Sequence, residues 1–310
     1  MKLKITFCAF LFCCMSYAQA QNTAQGLVNH INQMFVVKSA DTLKSQLSND
    51  FSVAAYTMPS AFNLLKTIVK RYACDSLQLK DAVKQGGGFK LTVVPFVKGK
   101  AGNASAIFTN ASYQIQYADI FDQLYGMNRY KPAVLRTKIP FEEENGSIIL
   151  TVKINGHAKP LRLLFDTGAD GMAITQALAD EVGIKATRQQ NTSVVGGNMQ
   201  ISVSEGNTIQ LDTFVIKNQS FAIFPEMHKD ADGIIGNSIA KNYITKVDFD
   251  KKELSLYDFG IYEYQDKGIS VPVTVPSGVF IIPGDVTVTP GQTHTGNFVF
   301  DTGAGYHLIC

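Results

Sequence analysis

The first third of the chain places apolar residues at helical intervals and then changes to a strand-like pattern. Three segments with apolar residues at every third or fourth position predict helices: 24–36, 39–47 and 60–72. The segments 86–99 and 104–117 are instead rich in β-branched and aromatic residues, which predicts strands. Helices followed by strands predict an α+β domain of unknown role over residues 21–135.

The stretch "ADIFDQLYG" near the end of this domain contains two aspartates, Asp119 and Asp122. We interpret both as solvated or helix-capping residues, because the sequence around them shows no catalytic constellation.

The next part of the chain alternates apolar and polar residues. Residues 146–156 do so and end at Asn-Gly, which favours a hairpin turn. Residues 160–168 predict a short apolar strand that stops at a glycine. Thr175 is placed to cap a short helix, and a second short helix is predicted after "DGIIG". We therefore expect a mainly β unit over residues 139–262.

Two distant segments share one pattern. Residues 144–170 and 276–305 each run through an apolar strand into Phe-Asp-Thr-Gly-Ala. An aspartate between apolar strands is costly unless the protein uses it, so Asp166 and Asp301 are predicted to form a pair. The second copy stops nine residues after Asp301. We therefore expect residues 269–310 to be the truncated start of a second lobe, and the printed chain to be incomplete.

These motifs resemble those of the aspartic peptidases of the pepsin and retropepsin group. Each lobe of that family contributes one such loop, and an apolar-apolar-glycine element follows the flap, as "IIG" at 234–236 does here. The 70 residues from Asp166 to Gly236 are nearer to the compact retropepsin lobe than to the larger pepsin lobe. The resemblance implies a mainly β fold with one complete retropepsin-like acid-protease lobe at 139–262, preceded by the α+β domain.

The resemblance also implies roles for particular residues. The catalytic residues would be Asp166 and Asp301. The residues supporting their loops would be Thr167, Gly168, Thr302 and Gly303. A flap over the substrate would span residues 192–203. Its substrate-facing residues would be Val194, Val195, Gly196 and Gly197.

Paired aspartates suit peptide hydrolysis for a physical reason. Two carboxylates that share one site cannot both ionise cheaply, so one of them keeps its proton. The charged carboxylate can act as a general base on a water, and the protonated one can act as a general acid. This chemistry needs no cofactor and no metal, and the five histidines lack metal-ligand spacing. The resemblance thus implies an aspartic endopeptidase, and the N-terminal pattern of residues 1–20 described below makes it an exported one.

The implied partner is a peptide or protein substrate. A net charge of +2 without a basic stripe argues against a nucleic-acid partner. The two loops would pair within one chain or, alternatively, through a homodimer. A second hypothesis also stays open, namely a catalytically silent peptide-binding or structural protein that uses the aspartic-peptidase fold.

Residues 1–20 have the layout of a secretory signal peptide. Two lysines precede an apolar run, and the small-residue ending "AQA" fits cleavage before Gln21. We therefore expect export to the periplasm, the cell envelope or the medium. Cys74 and Cys310 would remain in the mature chain and do not make a disulfide framework, and we expect Cys74 to be buried.

Overall fold

The structure is a computed structural model. It describes residues 23–54, 56–194, 197–227, 231–265, 267–269, 271, 273–275 and 278–304. The chain divides into two compact units, unit 1 (Met1–Arg129) and unit 2 (Tyr130–Cys310). The predicted signal peptide and the predicted flap residues Val195 and Gly196 lie outside the described residues.

Unit 1 combines helices with an antiparallel sheet. Its helices are α1 (Ala24–Val37), a 3-10 helix (Ala40–Gln46), α2 (Ser60–Arg71) and α3 (Asp119–Tyr125). Its strands are β1 (Ser52–Val53), β2 (Tyr56–Thr57), β3 (Ser76–Gln85), β4 (Gly88–Val97), β5 (Lys100–Ala101), β6 (Ser105–Asn110) and β7 (Ile115–Ala118). The main sheet has the order β3-β4-β6-β7, and β5 pairs with β4. The apolar faces of the helices and the sheet are buried in one core.

The helical periodicity of α1 matches its burial. Thr23 caps the helix by accepting a hydrogen bond from the amide of Gly26. The apolar residues of α1, among them Leu27 and Ile31, lie in the same core as Leu91 of β4. The first and third predicted helices are confirmed, whereas the second is a short 3-10 helix.

The prediction for the two aspartates of "ADIFDQLYG" is wrong. Asp119 and Asp122 lie in the first turn of α3, and both are buried. The carboxylate of Asp122 forms an ion pair with Arg129 and accepts a hydrogen bond of 2.6 Å from the amide of Ala54. This cation and this amide compensate for the loss of water around Asp122.

Unit 2 is built almost entirely from strands. They are β8 (Leu135–Pro140), β9 (Glu142–Glu144), β10 (Ser147–Ile154), β11 (Leu161–Phe165), β12 (Met172–Thr175), β13 (Arg188–Val194), β14 (Gly197–Leu211), β15 (Phe214–Phe224), β16 (Gly233–Ile235), β17 (Tyr243–Asp248), β18 (Glu253–Asp258), β19 (Ile281–Thr289) and β20 (Gln292–Val299). One short helix, α4 (Gln176–Glu181), follows β12. The mainly β fold expected for this unit is confirmed.

Eight strands of unit 2 form one sheet in the order β13-β14-β15-β12-β16-β11-β10-β9. Strand β10 also pairs with β14, which brings distant parts of this sheet together. The pairs β11–β16 and β12–β15 are parallel, and β12–β16 is antiparallel. Smaller sheets are formed by β17-β18-β8 and by the hairpin β19-β20. Strand β8 begins at Leu135, so the strands of unit 2 start earlier in the chain than residue 139, the predicted start of the lobe.

Two local predictions in unit 2 have different outcomes. Thr175 does cap α4, since its hydroxyl accepts a hydrogen bond of 3.2 Å from the amide of Leu178. The second predicted helix, after Gly236, is instead a series of turns that leads into β17. Among the described residues, no helix is long and apolar enough to cross a membrane.

Candidate active site

The first Asp-Thr-Gly loop follows β11 directly. Asp166 is buried, and its amide donates to the carbonyl of Ile235 at 3.1 Å. On the other side of the loop, the amide of Asn237 donates to the carbonyl of Ala169 at 2.9 Å. The loop is therefore held between the end of β16 and the turn that follows it.

Gly236 allows this close packing. A Cβ at this position would lie 2.3 Å from the carbonyl oxygen of Gly171 and 2.5 Å from that of Ala169. No side chain fits at those distances, so steric exclusion explains why the third position of the apolar-apolar-glycine element is a glycine.

The second Asp-Thr-Gly loop follows β20 and repeats the local geometry of the first. The amide of Gly168 donates to Asp166 Oδ1 at 2.9 Å, and the amide of Gly303 donates to Asp301 Oδ1 at 2.8 Å. Each loop thereby orients its own carboxylate. The two carboxylates differ in exposure, because Asp166 is buried whereas Asp301 is exposed.

The two loops are joined by four hydrogen bonds that involve the threonine hydroxyls. Thr167 Oγ1 accepts from the amide of Thr302 at 2.9 Å and donates to the carbonyl of Phe300 at 2.7 Å. Thr302 Oγ1 accepts from the amide of Thr167 at 3.1 Å and donates to the carbonyl of Phe165 at 2.7 Å. Each hydroxyl therefore binds the backbone of the opposite loop as both donor and acceptor.

The glycines of the motif bring the carboxylates close to the facing loop. A Cβ at Gly168 would lie 2.4 Å from Cγ of Asp301, and a Cβ at Gly303 would lie 2.4 Å from Cγ of Asp166. Each aspartate thus lies against the glycine of the other loop. The structure brings together all six residues predicted for the dyad and its support, and their catalytic role stays a prediction.

The predicted flap is a hairpin of β13 and β14. Its strands pair from Arg188 with Val203 up to Val194 with Gly197. One face carries apolar residues such as Ile201, which is buried, and the opposite face carries polar residues such as Gln189. A groove of about 460 Å³ lies beside the flap. It is lined by Asn191, Thr192, Ser193, Asn198, Met199 and Gln200.

Two residues near the first loop were not predicted from the sequence. Asn237 is fully buried, and Lys241 is buried beside Asp170. The amide group of Asn237 and the ammonium group of Lys241 both donate to this loop. The sequence offers no local signal for them, since the same stretch after "DGIIG" also contains the polar residues Ser238 and Asn242.

Asp248, in the sequence Asp-Phe-Asp-Lys-Lys at 248–252, has a structural role in a turn. Asp248 ends β17, and its carboxylate accepts a hydrogen bond of 3.0 Å from the amide of Lys251. This hydrogen bond lowers the pKa of Asp248, as expected for an aspartate in a polar turn. Within the part of the chain that the structure describes, no group of three or more histidines, cysteines or acidic residues could hold a metal ion.

Part of unit 2 matches a known protein family. Residues 150–239 match the family model described as aspartyl protease. Among solved structures, a retropepsin-like aspartic protease from Rickettsia conorii is 20% identical, covering 42% of this chain and 96% of its own, with a TM-score of 0.31. The EIAV protease complexed with the inhibitor HBY-793 is 26% identical, covering 30% of this chain and 84% of its own, with a TM-score of 0.25. No curated protein matches the chain.

The family match covers the first Asp-Thr-Gly loop, the flap hairpin and the apolar-apolar-glycine element. The match therefore supports an aspartic-type peptidase class for this part of unit 2.

Proposed function

We propose that Asp166 and Asp301 form the catalytic dyad of an exported endopeptidase. The observation that carries the proposal is the reciprocal bonding of the two Asp-Thr-Gly loops through Thr167 and Thr302. A turn aspartate needs no such partner loop. Both loops come from one chain, which favours intramolecular pairing over the homodimer alternative.

The chemistry follows from two carboxylates at one site. Two carboxylates at one site cannot both ionise cheaply, so the proposed mechanism uses one charged and one protonated carboxyl. The charged carboxylate takes a proton from a water as that water attacks the scissile carbonyl carbon, which yields a tetrahedral intermediate. The protonated carboxyl first hydrogen-bonds the carbonyl oxygen. The carboxyl that took the proton from the water then delivers it to the leaving nitrogen as the carbon–nitrogen bond breaks, which releases a carboxylic acid and an amine and restores the charged carboxylate.

The chain's own backbone supports this arrangement. The amides of Gly168 and Gly303 each bind Oδ1 of their own aspartate, so both carboxylates are oriented before substrate binds. The flap hairpin is the element that would cover a bound peptide and exclude water from the scissile bond. A peptide or protein is therefore the proposed substrate.

Export is the second part of the proposal. It rests on the signal-peptide layout of residues 1–20. Expression in a bacterium followed by fractionation should give a mature protein that begins at Gln21 in the periplasmic, envelope or secreted fraction. A cytoplasmic protein that retains Met1 would contradict this part alone.

Substitution of Asp166 by Asn tests the catalytic part. Asparagine keeps the shape of the side chain and an oxygen that can accept from Gly168, so the fold should survive. It cannot serve as the charged base, and we expect peptide hydrolysis to fall by about 10²–10⁴-fold. Asp180, an exposed aspartate on α4, provides the control through Asp180→Asn, which should keep wild-type activity.

The assay is cleavage of a mixed peptide library from acidic to neutral pH, with circular dichroism as the folding control. Wild-type turnover by folded Asp166→Asn protein would rule out the dyad. If the wild-type protein binds peptides from the library but cleaves none, the silent peptide-binding hypothesis is the better one.

A further inference from the structure

We propose that Asn237 is a positioning residue that sets the place of the second Asp-Thr-Gly loop against the first. The predicted effect of Asn237 on turnover rests on the proposed function, whereas its predicted effect on the position of the loop does not. The side chain of Asn237 is fully buried in the turn after β16. It lies between the first loop and the segment that leads into β19.

The carboxamide of Asn237 connects these two segments. Its Nδ2 donates to the carbonyl of Thr167 in the first loop and, at 3.2 Å, to the carbonyl of Gly278. A side-chain amide nitrogen has two N–H groups, so it can serve both carbonyls at once. Asn237 Oδ1 has no hydrogen-bond partner among the described residues, so the contribution of the side chain lies in its two donors.

Gly278 is the contact point on the second segment. It has a φ of +86°, which favours glycine. A Cβ there would lie 1.8 Å from Oδ1 of Asp170, so the backbone of Gly278 packs directly on the first loop. The ammonium of Lys241, itself buried, pairs with the Asp170 carboxylate and donates to the Asp170 carbonyl at 3.0 Å. Lys241 thereby fixes the position of Asp170, against which the backbone of Gly278 packs.

The position of Gly278 is transmitted to Asp301 by a short hydrogen-bonded path. Phe280 lies two residues after Gly278, and its carbonyl accepts from the amide of Phe300 at 2.9 Å. Phe300 directly precedes Asp301. Strand β19, which begins at Ile281, is paired with β20 along its length. A shift of Gly278 would therefore displace the second carboxylate.

Asn237→Leu tests the inference, because leucine has a similar branched shape and no donor. Asn242 lies on the same turn and is exposed, and among the described residues its side chain donates only to the carbonyl of Ser238, so Asn242→Leu is the matched control. The first readout is hydrogen exchange of the amides of Thr302 and Gly303. We expect it to become at least about tenfold faster in Asn237→Leu and to be unchanged in the control.

The second readout is peptide hydrolysis. A misplaced carboxylate should lower kcat by about 10²-fold while KM changes little, because the flap and its groove are untouched. Asn237→Ser keeps one donor, and we expect it to fall between the wild type and Asn237→Leu in both readouts. If Asn237→Leu does not fold, Asn237→Ser carries the same test.

A merely structural role would give a different pattern. General loss of stability would speed exchange equally at core amides such as those of Leu150 and Leu163, and that result would overturn the inference. Unchanged exchange at Thr302 and Gly303 would also overturn it. Hydrogen exchange does not depend on turnover. An inactive wild-type protein would therefore contradict the proposed dyad, whereas the exchange data alone would still decide the role of Asn237.

Discussion

The hydroxyl of Thr167 and the hydroxyl of Thr302 each bind the backbone of the other's loop. Each accepts from the other threonine's amide and donates to the carbonyl just before the opposite aspartate. The arrangement has approximate two-fold symmetry although the residues come from one chain. It supports a dyad that forms within a single molecule.

Removing one hydroxyl should weaken this junction. Thr167→Val keeps the shape but leaves the Thr302 amide and the Phe300 carbonyl without their partner at Thr167 Oγ1. Both groups are part-buried, and an unpaired group costs about 1–3 kcal/mol when it is fully buried, so the free energy of unfolding of unit 2 should fall by about 1 kcal/mol or more. Thr167→Ser keeps the hydroxyl and is the control. Hydrogen exchange of the core amides of unit 2 measures the effect, and equal stability of the two variants would contradict the prediction.

The glycine of the first motif can be tested against a neighbouring glycine. Gly168→Ala would place a Cβ 2.4 Å from the Asp301 carboxyl carbon, whereas a Cβ at Gly171 meets nothing within 4 Å. Asp301 is exposed and can turn away, so Gly168→Ala should stay folded and lose about 10²-fold in kcat through misplacement of that carboxylate. Gly171→Ala should keep wild-type kcat. Full activity of Gly168→Ala would show that Asp301 is not needed where the structure places it.

The buried ion pair of unit 1 should matter for stability. Arg129 binds the Asp122 carboxylate, and its Nη2 also donates to Ser52 Oγ at 3.1 Å. Arg129→Met would leave a buried charge without its cation, at a cost of about 3–5 kcal/mol in the free energy of unfolding of unit 1. Lys159 and Glu181 form an exposed pair, so Lys159→Met should cost no more than about 1 kcal/mol.

Hydrogen exchange of the α1 amides measures the first variant, and exchange of the core amides of unit 2 measures the second. A loss at Arg129→Met no larger than that at Lys159→Met would refute the assignment of Asp122 as a compensated buried charge.

Cys74 should react slowly in the folded protein. Burial raises the pKa of its thiol, and the negative charge of Asp75 adds to this effect. The thiolate is the reactive form, so a thiol reagent at pH 8 should label the Cys74 peptide far more slowly in folded than in unfolded protein, as read by mass spectrometry. Equal rates would contradict this.

The raised pKa of Cys74 also makes unit 1 sensitive to high pH. The pKa of this thiol in the unfolded chain is about 8.5, which is below its pKa in the folded protein. The stabilising contribution of the neutral thiol is therefore present below that pH and is lost as pH rises through the folded pKa. Cys74→Ala should remove this part of the pH dependence above about pH 8.5, as measured by unfolding of unit 1 at several pH values.

Local patterns predicted much of the fold. The helical spacing of α1, the cap at Thr175 and the flap hairpin depend on residues close together in the chain, and the structure has all three. Strand β3 was missed because most of its residues are polar and exposed, which leaves little apolar periodicity to recognise. The burial of Asp122 was missed because it depends on the amide of Ala54, which is distant in sequence.

The sequence by itself predicted which residues would carry the chemistry. The repeated Phe-Asp-Thr-Gly-Ala identified Asp166 and Asp301 as candidates. An aspartate between apolar strands is costly to desolvate, and a sequence that contains two of them indicates a function for both. Only the tertiary structure decided that their loops meet within one chain and that Asn237 lies between the first loop and Gly278. The physical reason is separation along the chain. Thr167 and Thr302 are 135 residues apart, so no local propensity or periodicity encodes their contact, which exists only once the intervening strands have packed.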